Sequence, residues 1–470
     1  MCKHLRNRAI AAISFIASAC LLVAAGCTFF AGGSDAGRPF VHYAVHIADR
    51  KLNLVRVTVD CYGFAGRNVR FAAEHGVETV PFEPVGCAAR DAAGSVLGVD
   101  ENEGVWVVES GGRDFSLVYD VVLTIEDRYS PDVTRMISCL QGDRLRFLGR
   151  DLFLVPEGRL SDGVLLDVEP FPGRGASSAW PGNGNRLAVP GIEDLLSTVV
   201  VSGDYRLLST RTGRTELHLA IAGGWSFADS ELMDVIRRIV SGEMALFGSS
   251  PHERYLFVCD RNPVRGGRGF NLYGMHFTGS MVLLLDPRLD RSELFDTPMS
   301  IIAHEFFHNW NGEVLRPRTG GFLWFTEGVT VYYSYKVLID MNIITPRQYA
   351  RKREEIARRY LENGYLESVP VGEAANSDLA DKDMVNLLYD GGFLAAEALD
   401  NHIAKATGGR LRLIDVLRSM YEEAEGPVCI DEAVLVDSIR RMCGSDMGVF
   451  LDELIHTPAP AILVSASQSS

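Results

Sequence analysis

His304-Glu305-Phe306-Phe307-His308-Asn309-Trp310 is the stretch from which the rest of the chain is read. On a helix, residues four apart share a face, so His304 and His308 can point at one ion. Glu305 reaches the same cavity from the side, where a carboxylate can take a proton from a metal-bound water. Two imidazoles with an open position suit Zn²⁺, which needs one further protein ligand to make an open site. Local signals put the motif on a helix. Thr297-Pro298 reads as an N-cap with proline at the first helical position. Ile301, Ile302, Phe306, Phe307 and Trp310 supply an apolar surface, and Asn311-Gly312 is a stop signal. The third ligand is read as Glu327, in Phe322-Leu323-Trp324-Phe325-Thr326-Glu327-Gly328, with eighteen residues between it and His308. That separation allows a short loop and a returning helix, and one zinc per chain is expected.

H-E-x-x-H followed by a distant glutamate resembles the gluzincin metallopeptidases, the clan of thermolysin and aminopeptidase N. "HEFFHNWN" with Leu315-Arg316-Pro317, then "LWFTEGVTVYY", resembles the glycyl aminopeptidase family within it. A looser likeness runs from about residue 40 to 455. One departure is the loop between the motif and Glu327. It is usually longer in that family and here has the aminopeptidase N spacing. That family often ends in a PDZ domain, and this chain stops too soon to contain one.

The chain has 470 residues, enough for two or three domains with large cores, and 47% of it is apolar, as in ordinary globular proteins. Net charge is −15 with no long basic run beyond the N-terminus, which makes nucleic acid a poor partner. Lys3, Arg6 and Arg8 precede an apolar, alanine-rich segment over residues 9 to 25. Val23-Ala24-Ala25-Gly26-Cys27 then resembles a bacterial lipoprotein cleavage box. The expectation is an exported protein anchored by lipid on Cys27. Thr28 after the cysteine points to the outer-membrane-sorted class. Six further cysteines could form disulfides in an exported protein, and Cys429 with Cys443, flanking one helical pattern, is the expected pair.

The expected fold class is α+β: an N-terminal β-sandwich followed by a thermolysin-like zinc peptidase domain with a helical C-terminal part. Residues 1–26 read as a lipoprotein-type signal peptide and 27–38 as a tether. Residues 39–190 read as the sandwich. "HYAVHIAD", "NLVRVTVD", "GVWVVE" and "FSLVYDVVLTIED" alternate or run apolar at strand length. Residues 191–340 read as the catalytic domain, with short strands, an amphipathic helix over 227–247 and the metal helix. Residues 341–458 read as helical, opened by the capping box Thr345-Pro346-Arg347-Gln348, and 459–470 as a tail.

The resemblance implies further site residues. "LLYDGGFLAAEALD" is similar to the gluzincin segment whose tyrosine donates to the oxyanion, which falls on Tyr389, with Gly391 in place of the usual lysine. The adjacent glycines are expected to bring this helix close to the metal helix. The strand that reads the substrate's amino group matches Tyr273-Gly274-Met275-His276, with Gly274 and His276 as substrate-binding positions. His276 stands where the family has a glutamate, which implies relaxed aminopeptidase specificity unless another acid, such as Glu313 or Asp390, substitutes. The alternative role for His276 is to bind a substrate carbonyl or carboxylate, or to pack. Tyr332 and Tyr333 read as packing residues, Asn309 and Trp310 as wall, and Arg316 as structural. His218, His252 and His402 read as isolated. The implied function is hydrolysis of peptide bonds in a peptide or protein substrate. The second reading is a surface binding or chaperone-like protein that keeps the ion for stability.

Overall fold

The computed structural model describes residues 39–73, 83–123, 138–158, 163–169, 171, 174–262, 272–294, 297–318, 320–376, 381–461 and 463. Cys27, the tether and the end of "FSLVYDVVLTIED" lie outside the described residues. No helix among the described residues is long and apolar enough to cross a membrane.

The N-terminal part is built from alternating strands. β1 (Phe40–Asp49), β2 (Leu54–Tyr62) and β3 (Phe115–Val122) pair antiparallel at the centre of an eight-stranded sheet. Val41, Tyr43, Val45, Val55, Val57, Val59, Leu117 and Tyr119 form its buried face, at the period-two spacing of a pleated strand. That face packs on a four-stranded sheet containing Val69–Ala73 and Val105–Val108. A further sheet is formed around β4 (Arg144–Leu148). β5 (Val164–Val168) joins β1 in parallel. β6 (Val199–Gly203) pairs with β4. This pairing joins residues 199–203, which lie past the expected boundary at 190, to the N-terminal part.

The part that follows has a five-stranded sheet in the order β7 (Arg206–Thr212), β8 (Thr215–Ile221), β9 (Arg254–Arg261), β11 (Ser280–Leu285), β10 (Tyr273–Phe277). β11 is buried at every position, as expected of a continuous apolar run covered on both faces. On one face Leu217, Leu219, Phe257, Met281 and Leu283 pack in the cluster that holds α1 (Asp229–Phe247) and α2 (Thr297–Phe307). On the other, Val258, Val282 and Leu284 meet Leu148, Val199 and Val201 of the N-terminal part. Asp260 of β9 takes hydrogen bonds from Arg146 at 2.7 Å and Arg144 at 3.0 Å, both on β4. The two parts thus share a core and a buried ion pair.

The rest is helical: α3 (Thr330–Asp340), α4 (Pro346–Leu361), α5 (Lys382–Ala406), α6 (Leu413–Glu423), α7 (Glu432–Cys443) and α8 (Gly448–His456). The Thr345–Gln348 capping box forms in both directions at the start of α4. The expected Cys429–Cys443 disulfide does not form, and Cys443 is a free thiol. Cys429 lies in the short strand Val428–Ile430 ahead of α7 and Cys443 ends that helix, whose twelve residues span roughly 18 Å. A disulfide needs Cα atoms within about 7 Å.

Candidate metal centre and active site

α2 carries His304 and His308 on one face, and both side chains are buried. The helix begins at Thr297, with the proline second. After His308 the chain widens into the turn Asn309–Val314, in which Gly312 adopts φ 149°. A Cβ there would lie 3.2 Å from the His308 Nδ1, so glycine meets both the backbone and the space requirement. The turn brings the Asn311 carbonyl to His308 Nδ1 at 2.9 Å. A carbonyl only accepts, so Nδ1 carries the proton and Nε2 offers a lone pair. Burial pushes His308 down to about 4, which keeps it neutral and ready to ligate.

Glu327 sits in a second wide turn, Trp324–Val329, which leads into α3. Its Oε2 lies 3.1 Å from His304 Nε2 and 3.7 Å from His308 Nε2, and the two Nε2 atoms are 3.0 Å apart. Donors of a tetrahedral ion with bonds of about 2.0–2.1 Å stand roughly 3.3 Å apart. The three separations bracket that value, and these residues form a group able to hold a metal. Burial alone would lower His304; the Glu327 carboxylate beside it outweighs that and raises it.

Glu305 is fully buried, and among the described residues neither carboxylate oxygen has a side-chain hydrogen-bond partner. Burial pushes it up to about 7, partly offset by the charge of His304. A carboxyl that titrates near neutrality is suited to exchange protons with a bound water. It lies against Gly274 of β10, where a Cβ would come within 2.9 Å of the Glu305 Cγ and 2.2 Å of an Ile301 methyl. Gly274 therefore lets the edge strand approach the metal helix.

Tyr389 on α5 stands over His304, with ring centroids 6.0 Å apart. The expectation that glycines draw this helix against α2 needs correction. Gly392 meets Gly328, next to Glu327, and a Cβ on Gly328 would fall 2.3 Å from the Gly392 Cα. Gly391 instead faces Val371 and Tyr360. The close approach is thus between α5 and the turn that carries Glu327, and it sets Tyr389 beside His304.

His276 does not offer a free ring nitrogen. Nε2 donates to Glu313 Oε2 at 3.1 Å, and Nδ1 faces the Tyr255 hydroxyl at 3.3 Å. This goes against a direct bond from His276 to a substrate carbonyl or carboxylate. His252, read as isolated, donates to the same Glu313 oxygen at 3.0 Å. The two histidines override burial and hold Glu313 down at about 2. His276 in turn lies beside His308, ring centroids 6.0 Å apart. The grouping of His252, Tyr255, His276 and Glu313 was not legible in the chain, because its members come from three separate segments. Asp390 is taken by a bidentate pair with Arg359 at 2.8 and 2.6 Å and is no substitute acid. Tyr332 and Tyr333 donate to buried Asp400. Trp310 donates to the Ser249 carbonyl, and Arg316 to that of Glu313. His402 packs on Phe450, and His218 is half-buried and lowered by burial.

Comparison with known proteins shows what the chain is similar to. Residues 297–386, which include the motif, Glu327 and the start of α5, match the M61 glycyl aminopeptidase family. An aminopeptidase N of Caulobacter vibrioides is 25% identical over 174 residues, 35% of this chain and 20% of that protein; the match spans about a fifth of the relative's length. An aminopeptidase N family protein from Idiomarina loihiensis superposes with a TM-score of 0.75 at 18% identity, covering 89% of this chain and 76% of the other. An M1 zinc metallopeptidase from Deinococcus radiodurans, a glutamate-to-alanine variant bound to Tyr-Ser-Ala, superposes at 0.52 with 13% identity, covering 90% and 95%. The fold is therefore α+β of the aminopeptidase N kind, and the segment that carries the candidate site bears the signature of the M61 glycyl aminopeptidases.

Proposed function

We propose that this chain is an exported, lipid-anchored zinc metallopeptidase of the bacterial cell envelope. The observation that carries the reading is the convergence of His304 Nε2, His308 Nε2 and Glu327 Oε2 beside the buried carboxyl of Glu305. Zn²⁺ held by these three residues would supply Lewis acidity to a peptide carbonyl and to water. Glu305 takes a proton from the attacking water and returns it to the leaving amine, a role that a carboxyl near neutrality performs in both directions. The Tyr389 hydroxyl donates to the developing oxyanion from above His304. The outer edge of β10, unpaired among the described strands, lets a peptide add as a further strand past Glu305. The basic N-terminus and the box ending in Cys27 support the export and anchoring.

The test is Glu305→Gln. The variant is expected to fold and keep zinc while peptide hydrolysis falls about 10²- to 10⁴-fold. Glu327→Ala, by contrast, is expected to lose tight zinc in metal analysis. Unchanged hydrolysis in Glu305→Gln would name a different base. A wild-type protein that binds zinc but cleaves no member of a peptide library would favour the binding-protein reading.

A further inference from the structure

A cleft of about 530 Å³ lies where the N-terminal part meets the five-stranded sheet, and none of the described residues that line it belongs to the metal site. The turn from Gln141 to Arg144, which opens β4, and Asp204 line it from one side. Arg206 of β7, Gly223 and Arg261 line it from the other. β8, β9 and β11 run parallel. Gly223 follows β8, and Arg261 is the last residue of β9. The cleft therefore sits at the carboxyl ends of the parallel strands, the end at which open sheets leave a crevice for ligands.

Arg261 points to the kind of ligand. Its guanidinium lies over the Trp225 ring, 5.9 Å from the centroid, and Nη2 donates to the Gly224 carbonyl at 2.9 Å. Gly223, at φ 79°, makes the space: a Cβ there would come within 2.7 Å of Arg261 Nε. The exposed head group is thus held in place, yet it makes no ion pair among the described residues. The other charges of the cleft have partners. Asp143 pairs with Arg50 at 2.8 Å and Asp204 with Arg174 at 3.0 Å. Arg206 forks onto Asp229 at 2.6 and 2.8 Å. Arg144 shares Asp260 with Arg146, so one carboxylate answers two guanidinium groups there. With Arg261, six guanidinium groups stand against four carboxylates. That is an excess of two positive charges in a chain whose net charge is −15, and it attracts anions.

We propose that this cleft is a binding site for a phosphate-class oxyanion, held by Arg261 together with Arg144 and Arg206. A phosphate monoester carries about −1.5 to −2 charges near pH 7, which matches the local excess. Planar guanidinium forks suit its oxygens. Arg261 Nε and Nη1 and Arg144 Nε have no hydrogen bond among the described residues and supply the donors. Arg144 belongs to the N-terminal part and Arg206 and Arg261 to the five-stranded sheet, so the bound anion bridges the two parts. A free phosphate and the phosphate of a larger ester share this chemistry, and a cleft of this size has room for the body of an ester.

The full chain is titrated calorimetrically at low ionic strength with inorganic phosphate, phenyl phosphate and succinate. Saturable binding of the phosphate probes is expected, with succinate weaker. Arg261→Gln should weaken that binding about ten- to a hundredfold, as for loss of a charge-assisted hydrogen bond. Arg261→Lys should fall between, since it keeps the charge and loses the fork. Arg211→Gln is the control: this arginine of β7 pairs with Glu216 and does not line the cleft, so the variant should bind as the wild type does. Tighter binding of phenyl phosphate than of phosphate assigns the site to an ester; equal binding assigns it to the free anion. Wild-type protein that binds neither phosphate probe overturns the proposal, whatever the variants do. So does binding that Arg261→Gln leaves unchanged, an equal loss in Arg211→Gln, or succinate binding as tightly as phosphate. None of these outcomes depends on peptide hydrolysis.

Discussion

Gly328→Ala tests the contact that sets Glu327 and Tyr389 relative to each other. The added methyl would lie 2.2 Å from the Gly392 carbonyl carbon and 2.3 Å from its Cα, whereas ordinary contact begins at 3.4 Å. Both partners are backbone, so no side chain can swing away. The Trp324–Val329 turn and α5 must part by about 1 Å, the scale at which misplacement of catalytic groups costs about 10²-fold in rate. Overpacking of this kind costs about 1–3 kcal/mol, and backbone against backbone puts it at the upper end. Gly392→Ala is the internal control. Its methyl meets the Trp324 carbonyl at 2.8 Å and the Gly328 Cα at 2.9 Å, so less movement is needed. It also gains about 1 kcal/mol of helix propensity. The expected order of damage is Gly328→Ala well above Gly392→Ala. Three assays read it: the denaturant midpoint, zinc affinity by competition with a chelator, and kcat on a peptide that the wild type cleaves. A Gly328→Ala protein with wild-type stability, zinc affinity and kcat refutes the argument, as does the reverse order.

Three further outcomes are expected. Tyr389→Phe should lower kcat with little change in KM, because its hydrogen bond forms mainly in the transition state; a change in KM alone would make the tyrosine part of the binding wall. In the N-terminal sheet, His42 bonds Asp60 at 3.2 Å and Asp167 at 2.9 Å. Its hydrogen bond to Asp60 raises His42, so its share of stability is full below 6.5 and fades as pH climbs through the raised folded value. Asp60 is lowered by His42, and Asp167 by Arg186 first and His42 next, so their share holds above 3.8 and fades as pH falls. His42→Asn should therefore cost about 1–2 kcal/mol in urea unfolding near pH 5 and less at pH 8 and pH 3; a pH-independent loss would contradict the pairing. Finally, Cys27→Ser should release the protein from the membrane fraction, and a variant bound as tightly as wild type would rule out the lipid anchor.

The chain by itself determined whatever depends on short separations. The four-residue spacing of His304 and His308 puts both on one helix face, and Gly312 after the stop lets the backbone reach His308. Glu327 was readable because a short loop can return only so far. Strand alternation in residues 40–62 and 115–122, and the continuous apolar run of β11, named strands. What joins distant segments was decided only by tertiary structure. β6 returns across the expected boundary to pair with β4, a register that no local pattern carries. Cys429 and Cys443 looked paired by proximity in sequence, yet a straight helix holds them apart. Gly392 spends its missing side chain on Gly328 rather than on α2. Glu313 and His252 become one unit with His276 because the turn after α2, the start of β9 and the edge of the sheet meet in space. Side-chain chemistry and helical period are properties of neighbours in the chain. The charge that a site presents is a property of neighbours in the fold.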